Sequence, residues 1–213
     1  MTSFSWLHLS DLHQGMSEQR WLWPQVEEMF FDDLKELHLQ CGPWDAVLFS
    51  GDLTQRGSAE EFQRLNQVLE RLWTHLRSLG SNPALVAVPG NHDLTRPSAL
   101  SPEVKVLASW RREKVVQDDF WNNSSSRYRQ IVIDAFANYA QWWKTHPFPR
   151  VEQSQEGLLP GDASFSFVKN GHRFGVVGLN SAFLQLAGGN YEQKLSLGVA
   201  QFHAACGGNG VVE

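Results

Sequence analysis

Short apolar runs alternate with longer amphipathic stretches along the first half of the chain. Phe4 to Leu9 reads as a buried strand, and the segment after it carries Val26, Met29, Phe30, Leu34 and Leu37 at helical spacing, the mark of an amphipathic helix. Ala46-Val47-Leu48-Phe49 forms a second buried strand. Ser58 with Glu61 makes a capping box, and Phe62, Leu65, Leu69, Leu72 and Leu76 then line one face of a second helix. Gly80 closes that helix, Ser81-Asn82-Pro83 turns the chain, and Ala84 to Val88 supplies a third strand. The order is βαβαβ, and right-handed crossovers make that a parallel sheet with helices packed on it, an α/β fold.

Beyond Asp93 the pattern changes. Pro97, Pro102, a charged segment and the run Asn122-Asn123-Ser124-Ser125-Ser126 predict an irregular, partly helical insertion, and Tyr128, Ile131, Val132, Ala135, Phe136, Tyr139, Trp142 and Trp143 then keep to one face of a single strong helix ended by Pro147 and Pro149. Residues 95–150 are accordingly expected to form a helical insertion or cap within one domain spanning 1–213, which opens at Met1. Residues 150–163 read as a loop. Ser164 to Val168 and Arg173 to Leu179 flank Asn170-Gly171, a strong hairpin signal. Leu197 to Cys206 begins one more helix, and Gly207-Gly208-Asn209-Gly210 leads to Glu213.

With 213 residues, 42% of them hydrophobic, the chain can bury a sizeable core, and its nine Trp and thirteen Phe belong first to that core and to groove walls. A formal charge of −5 argues against a generally basic nucleic-acid coat. The charge is uneven, however: Arg96, Lys105, Arg111, Arg112, Lys114, Arg127 and Arg129 outnumber Glu103, Glu113, Asp118 and Asp119 in the same stretch. That is either a solvated helix face or a contact surface for a polyanion. Cys41 and Cys206 are too few for a disulfide framework, so a reducing, cytoplasmic setting is expected. No stretch is long and apolar enough to span a membrane, and the first residues carry no basic segment of the signal-peptide kind.

The chemistry sits at the strand ends. Asp11-Leu12-His13, Gly51-Asp52-Leu53-Thr54-Gln55-Arg56-Gly57 and Gly90-Asn91-His92-Asp93 each follow a predicted strand, and neighbouring parallel strands bring such loops together at their carboxyl ends. Divalent metals that activate water take oxygen and imidazole ligands, and one carboxylate can bridge two ions. Asp11 and His13 can both face one ion if the backbone is extended, Asp52 suits the bridge, and Asn91 offers an amide oxygen. His92 is then placed to bind a phosphate and protonate a leaving oxygen, with Asp93 orienting its ring. Gly51 and Gly90 let the chain turn away from the strand ends, and Gly57 allows a tight turn before the second helix.

Each motif alone is a weak signal; together, and in this order, the segment from Trp6 to Asp93 resembles the calcineurin-like metallophosphoesterase superfamily. The family pattern of Asp-x-His, Gly-Asp-x-x-x-x-Gly and Gly-Asn-His-Asp/Glu is matched without gaps. The resemblance implies an αββα sandwich and a dinuclear site in which Asp11, His13 and Asp52 hold the first metal, Asp52 and Asn91 hold the second, a bridging hydroxide attacks and His92 is the catalytic acid. It also implies two divalent ions, manganese first, with iron(II) or zinc as alternatives. Asn180, after the hairpin, and Arg56 are carried over as substrate-binding residues. The expected activity is hydrolysis of phosphate esters, with phosphodiesters of nucleotide or nucleic-acid type preferred to monoesters because Arg111, Arg112, Lys114, Arg127 and Arg129 lie near Trp110, Trp121 and Tyr128.

The family continues with a strand ending in histidine and a Gly-His-x-His segment, and neither is present. Gly171-His172-Arg173-Phe174 lacks the second histidine and falls in the hairpin turn, while His8, His38, His75, His146 and His203 have no ligand spacing. The carboxyl-terminal part of the domain is therefore expected to be missing, with further domains after Glu213 and self-association through an exposed sheet edge. The alternative reading is a binding or regulatory module that keeps the fold without the chemistry, or an effector domain of a larger multidomain protein.

Overall fold

The computed structural model describes residues 3–17 and 19–208, and for residues 19–22, 24 and 25 the backbone alone. Met1, Thr2 and the end of the glycine-rich run, from Asn209 to Glu213, lie outside the described residues. Strands β1 (Trp6–Leu9), β2 (Ala46–Phe49) and β3 (Ala84–Ala87) are separated by helices α1 (Gln19–Cys41) and α2 (Ala59–Ser78). The three strands form one parallel sheet in the order β1-β2-β3, with Trp6 opposite Ala46 and Ala46 opposite Ala84. This is the predicted βαβαβ unit of an α/β fold.

The two faces of the sheet have different partners, as the period of two in a strand requires. Val47 and Phe49 of β2 and Leu85 and Ala87 of β3 pack with Leu65, Leu69, Leu72, Trp73 and Leu76 of α2 in the main core. Leu48 and Val86 face the other way, onto Ala163, Phe165 and Val176. Those residues belong to a second, antiparallel sheet of β4 (Gln153–Glu156), β5 (Ala163–Lys169) and β6 (His172–Gly178), so the molecule is layered helix, sheet, sheet. Lys169 at the end of β5 pairs with Asp45 at the start of β2 at 2.8 Å and ties the sheets at one end.

Helix α2 begins where the capping box placed it: Ser58 Oγ accepts the Glu61 amide at 3.2 Å and Glu61 Oε2 accepts the Ser58 amide at 3.3 Å. In the hairpin, Asn170 and Gly171 have φ of 51° and 79°, the paired positive values of a type I′ turn. Residues 150–163 are not all loop, because Gln153–Glu156 pairs with Ala163–Ser166 as β4. All four β4 residues are exposed and polar, so no apolar alternation marked the strand.

Two helical expectations need correction. The single helix over Tyr128 to Trp143 is two, α5 (Arg127–Ala135) and α6 (Ala137–Thr145), broken at the buried Phe136. The apolar period runs on through the break because α5 packs into the core of the insertion and α6 onto the main core. In α1, Leu34 is buried and Phe30 packs on the main core, but Val26, Met29 and Leu37 are exposed, with Met29 at 70%. The described chain covers only one side of that helix.

The region after Asp93 contains α3 (Pro102–Leu107), a 3₁₀ turn at Trp110–Arg112 and α4 (Lys114–Asn122) before α5. Val104, Leu107, Trp110, Phe120 and Val132 build a second core with Phe183 and Leu184 from the chain beyond β6 and with Leu94. This core stands directly behind the Gly90–Asp93 loop, since Leu94 is its next residue. A short helix α7 (Val199–Ala205) closes the described chain.

Candidate metal and phosphate site

β1, β2 and β3 are adjacent and parallel, so the loops after Leu9, Phe49 and Ala87 emerge on one edge of the sheet. The first two loops continue side by side past the strand ends: Asp11 donates its amide to the Gly51 carbonyl (3.1 Å), His13 to Asp52 (2.8 Å) and Gln14 to Leu53 (2.9 Å). These bonds do not require extended backbone at Asp11 and His13. Both are left-handed, with φ of 56° and 46°, and Asp52 has φ of 54°. Asp and His tolerate that region better than most residues, but it still costs energy, and the inter-loop bonds hold them there.

The third loop is locked to the second by close approach and by a buried carboxylate. A Cβ on Gly90 would lie 2.2 Å from Asp52 Oδ1, and one on Gly57 would lie 2.5 Å from the Leu94 backbone, so glycine is what lets the loops touch. Asp93 accepts the amides of Leu53 (3.1 Å), Thr54 (2.7 Å) and Gly90 (2.9 Å) and the Thr54 hydroxyl (3.0 Å). It is fully buried, and burial pushes its carboxyl up to about 6 against the pull of those hydrogen bonds. Asp93 therefore braces two loops. The ring of His92 is oriented elsewhere, by Gln55, whose carbonyl accepts from Nδ1 at 2.9 Å. Because a carbonyl only accepts, Nδ1 carries the proton and Nε2 is the end left to the site.

The three loops bring His13, Asp52 and His92 together, with one ligand atom of each within 4.8 Å of the others. The rings of His13 and His92 meet edge to face at 4.6 Å between centroids. Asp52 Oδ1 accepts the His92 amide at 2.9 Å, which fixes the carboxylate by one oxygen and leaves the other to a ligand. Asp11 sits at the rim: its Oδ1 is 3.7 Å from His13 Nε2, but its side chain is largely exposed and outside the trio. Asn91 and His92 line a cleft of about 380 Å³ with Gln55, Arg56, Leu94 and Arg96. The imidazole and carboxylate donors, held close together, fit a transition-metal ion, and His13 Nδ1 is buried with no protein partner.

Other expected site residues are placed differently. Asn180 is wholly buried; its amide nitrogen donates to the Pro160 carbonyl (2.9 Å) and its side-chain oxygen accepts from Ala182 (2.9 Å), so it holds a turn and presents nothing to substrate. The aromatic residues of the insertion are core: Trp110 is buried, and Trp121 stacks edge-on against Phe183. Arg129 is buried and donates to the carbonyls of Trp121 and Asn123, and Arg111 donates to that of Gln193. Trp110, Trp121, Arg111 and Arg129 therefore serve the fold of the insertion, while Arg112, Lys114 and Arg127 stay exposed on its surface. Gln55 and Arg96 also line the site, and no ligand spacing in the sequence marks them. Gln55 lies inside the second motif, but only the folded loops show which carbonyl meets His92.

No helix among the described residues is long and apolar enough to cross a membrane. A comparison with curated proteins finds no match. The family model described as calcineurin-like phosphoesterase matches residues 4–194. Three adjacent strand ends carry histidine and carboxylate side chains that could hold a metal, and with a family match over most of its length this chain belongs to the calcineurin-like phosphoesterase family.

Proposed function

We propose that the protein hydrolyses phosphodiesters with the aid of two divalent metal ions, manganese first. Asp11, His13 and Asp52 would hold one ion and Asp52 and Asn91 the other, with His92 as the acid. The observation that carries this reading is the convergence of His13, Asp52 and His92 within 4.8 Å at the ends of adjacent parallel strands. Bound divalent ions would stabilise the developing charge on the phosphate and lower the pKa of a water. His92 presents Nε2 to the site while Gln55 holds Nδ1, so in its protonated form it can give up a proton from Nε2 to a departing alkoxide. The Asp52 carboxylate is held in place by the His92 amide, which couples the acid to the ligand.

The test is hydrolysis of bis(p-nitrophenyl) phosphate by the full-length protein with Mn²⁺. Asp52→Ala and His92→Ala should each lower kcat/KM by about a hundredfold or more, the size of general acid-base effects. Unchanged rates in both variants would sink the assignment.

A second reading, a regulatory module with an incomplete shell, is favoured by one observation. Among the described residues only His13, Asp52 and His92 form a cluster of this kind, and no further histidine joins them. Elemental analysis separates the two readings. Two tightly held transition metals per chain exclude the second, whereas none, or one weakly held ion, leaves it standing.

A further inference from the structure

The cleft beside His92 contains two arginines that the metal chemistry does not use. Arg56 leaves the second loop just before Gly57, and Arg96 leaves the third loop just after Thr95. The loops themselves are joined there, because Thr95 Oγ1 donates to the Gly57 carbonyl at 3.2 Å and Asn138 donates to the same oxygen at 2.8 Å. The two cations therefore start from a braced junction. Both line the cleft of about 380 Å³ that His92 and Asn91 also line. Neither forms a salt bridge among the described residues, and no carboxylate lines the cleft, in a chain whose net charge is −5. Arg56 and Arg96 thus bring two positive charges to the lining of one cleft with no carboxylate among the other lining residues, and an anion bound there would meet both. Gln55, on the same wall, has a buried amide oxygen with no protein partner. Its amide can turn either end toward a ligand.

The position of the cleft decides which anion. His92 faces both the metal-ligand cluster and the cleft, so an oxygen that takes its proton stands at the cleft mouth, and the group leaving with that oxygen lies inside. We infer that Arg56 and Arg96 form a second phosphate site on the leaving-group side. The preferred substrate is then a phosphodiester whose leaving alcohol carries a further phosphate, as in a phosphorylated dinucleotide or a polynucleotide. The inference rests on the phosphoesterase reading for its direction but not for the anion site itself. Arginine suits such a site because its planar fork meets two phosphate oxygens at once and its charge does not titrate.

Two measurements test it. In the first, inorganic pyrophosphate is titrated calorimetrically into protein kept metal-free with a chelator. The Arg56→Ala/Arg96→Ala double variant should bind at least about tenfold more weakly than wild type, since charged hydrogen bonds of this kind exceed the tenfold threshold, while the exposed Arg112→Ala control should not. Equal affinity in wild type and double variant, or no binding by wild type, overturns the site.

In the second, Mn²⁺-loaded full-length protein is given TpT, pTpT and TpTp. Wild type should show a higher kcat/KM for one of the phosphorylated dinucleotides than for TpT, and the double variant should lose that ratio. Equal loss of rate on all three substrates overturns the substrate preference. Arginine-dependent pyrophosphate binding without any metal-dependent hydrolysis would leave the anion site standing and sink the phosphoesterase reading instead.

Discussion

The backbone amide of His92 donates to Oδ1 of Asp52 across 2.9 Å, so the proposed acid and the proposed bridging ligand are held by one hydrogen bond between neighbouring loops. Gly90 makes this possible. Its Cα passes so close to Asp52 that any side chain would strike the carboxylate.

Gly90→Ala follows directly. The added Cβ would start 2.2 Å from Asp52 Oδ1 and 2.5 Å from the Asp52 amide nitrogen, so the carboxylate has to move. Mn²⁺ affinity by calorimetry should fall at least about tenfold, and kcat/KM about a hundredfold, because a displacement near 1 Å costs that much in a positioned site. Wild-type metal affinity in this variant would show that the loops are looser than their contacts indicate.

Asp93 should behave as a brace. Asp93→Ala leaves the amides of Leu53, Thr54 and Gly90 without their acceptor in a buried place, at a cost of about 2–4 kcal/mol, partly offset by removing a buried charge. Asp93→Asn keeps one acceptor oxygen and should fall between. Chemical denaturation gives the order wild type, Asn, Ala; an Ala variant as stable as wild type would contradict the bracing role.

Tyr139 links α6 to the sheet, since its hydroxyl donates to the Ala87 carbonyl at 2.9 Å from a fully buried position. Tyr139→Phe removes that donor without creating a cavity. The expected loss is about 1–2 kcal/mol in urea unfolding, and no loss would mean that the carbonyl finds another donor.

His146 sets a pH dependence. Burial among aromatic rings, with Arg150 nearby, pushes its pKa down to about 4 from 6.5, and Nε2 has no protein partner. The fold thus holds the neutral ring, and the unfolded chain takes up the proton first. Stability from this residue is complete above pH 6.5 and is lost as pH falls toward about 4. Asp162 acts in the opposite sense: burial raises it to about 6 from 3.8, so its contribution is greatest below 3.8 and is lost as pH rises through 6. The readout is therefore the difference in Tm between wild type and His146→Phe. It should move in favour of the variant as pH drops from 6.5 to 4, and a constant difference would refute the assignment.

The βαβαβ order, the α2 cap at Ser58 and the Asn170-Gly171 turn were legible in the sequence because each rests on local chemistry: apolar period, a side chain reaching a nearby amide, and a residue pair that accepts positive φ. β4 was not legible, because its residues are polar and exposed and only pairing with β5 makes them a strand. The break at Phe136 was hidden because the apolar period continues through it while the packing partner changes.

The site divides in the same way. The three motifs determined which residues are candidate metal ligands and that they stand at strand ends, since residue type and strand position are written in order along the chain. The tertiary structure decided what each residue does there. It turned Asp93 inward as a brace, gave the His92 ring to Gln55, buried Asn180 under a turn and brought Arg56 and Arg96 to one cleft. Those outcomes depend on which atoms of distant loops come within about 3 Å of one another, and sequence spacing does not encode that distance.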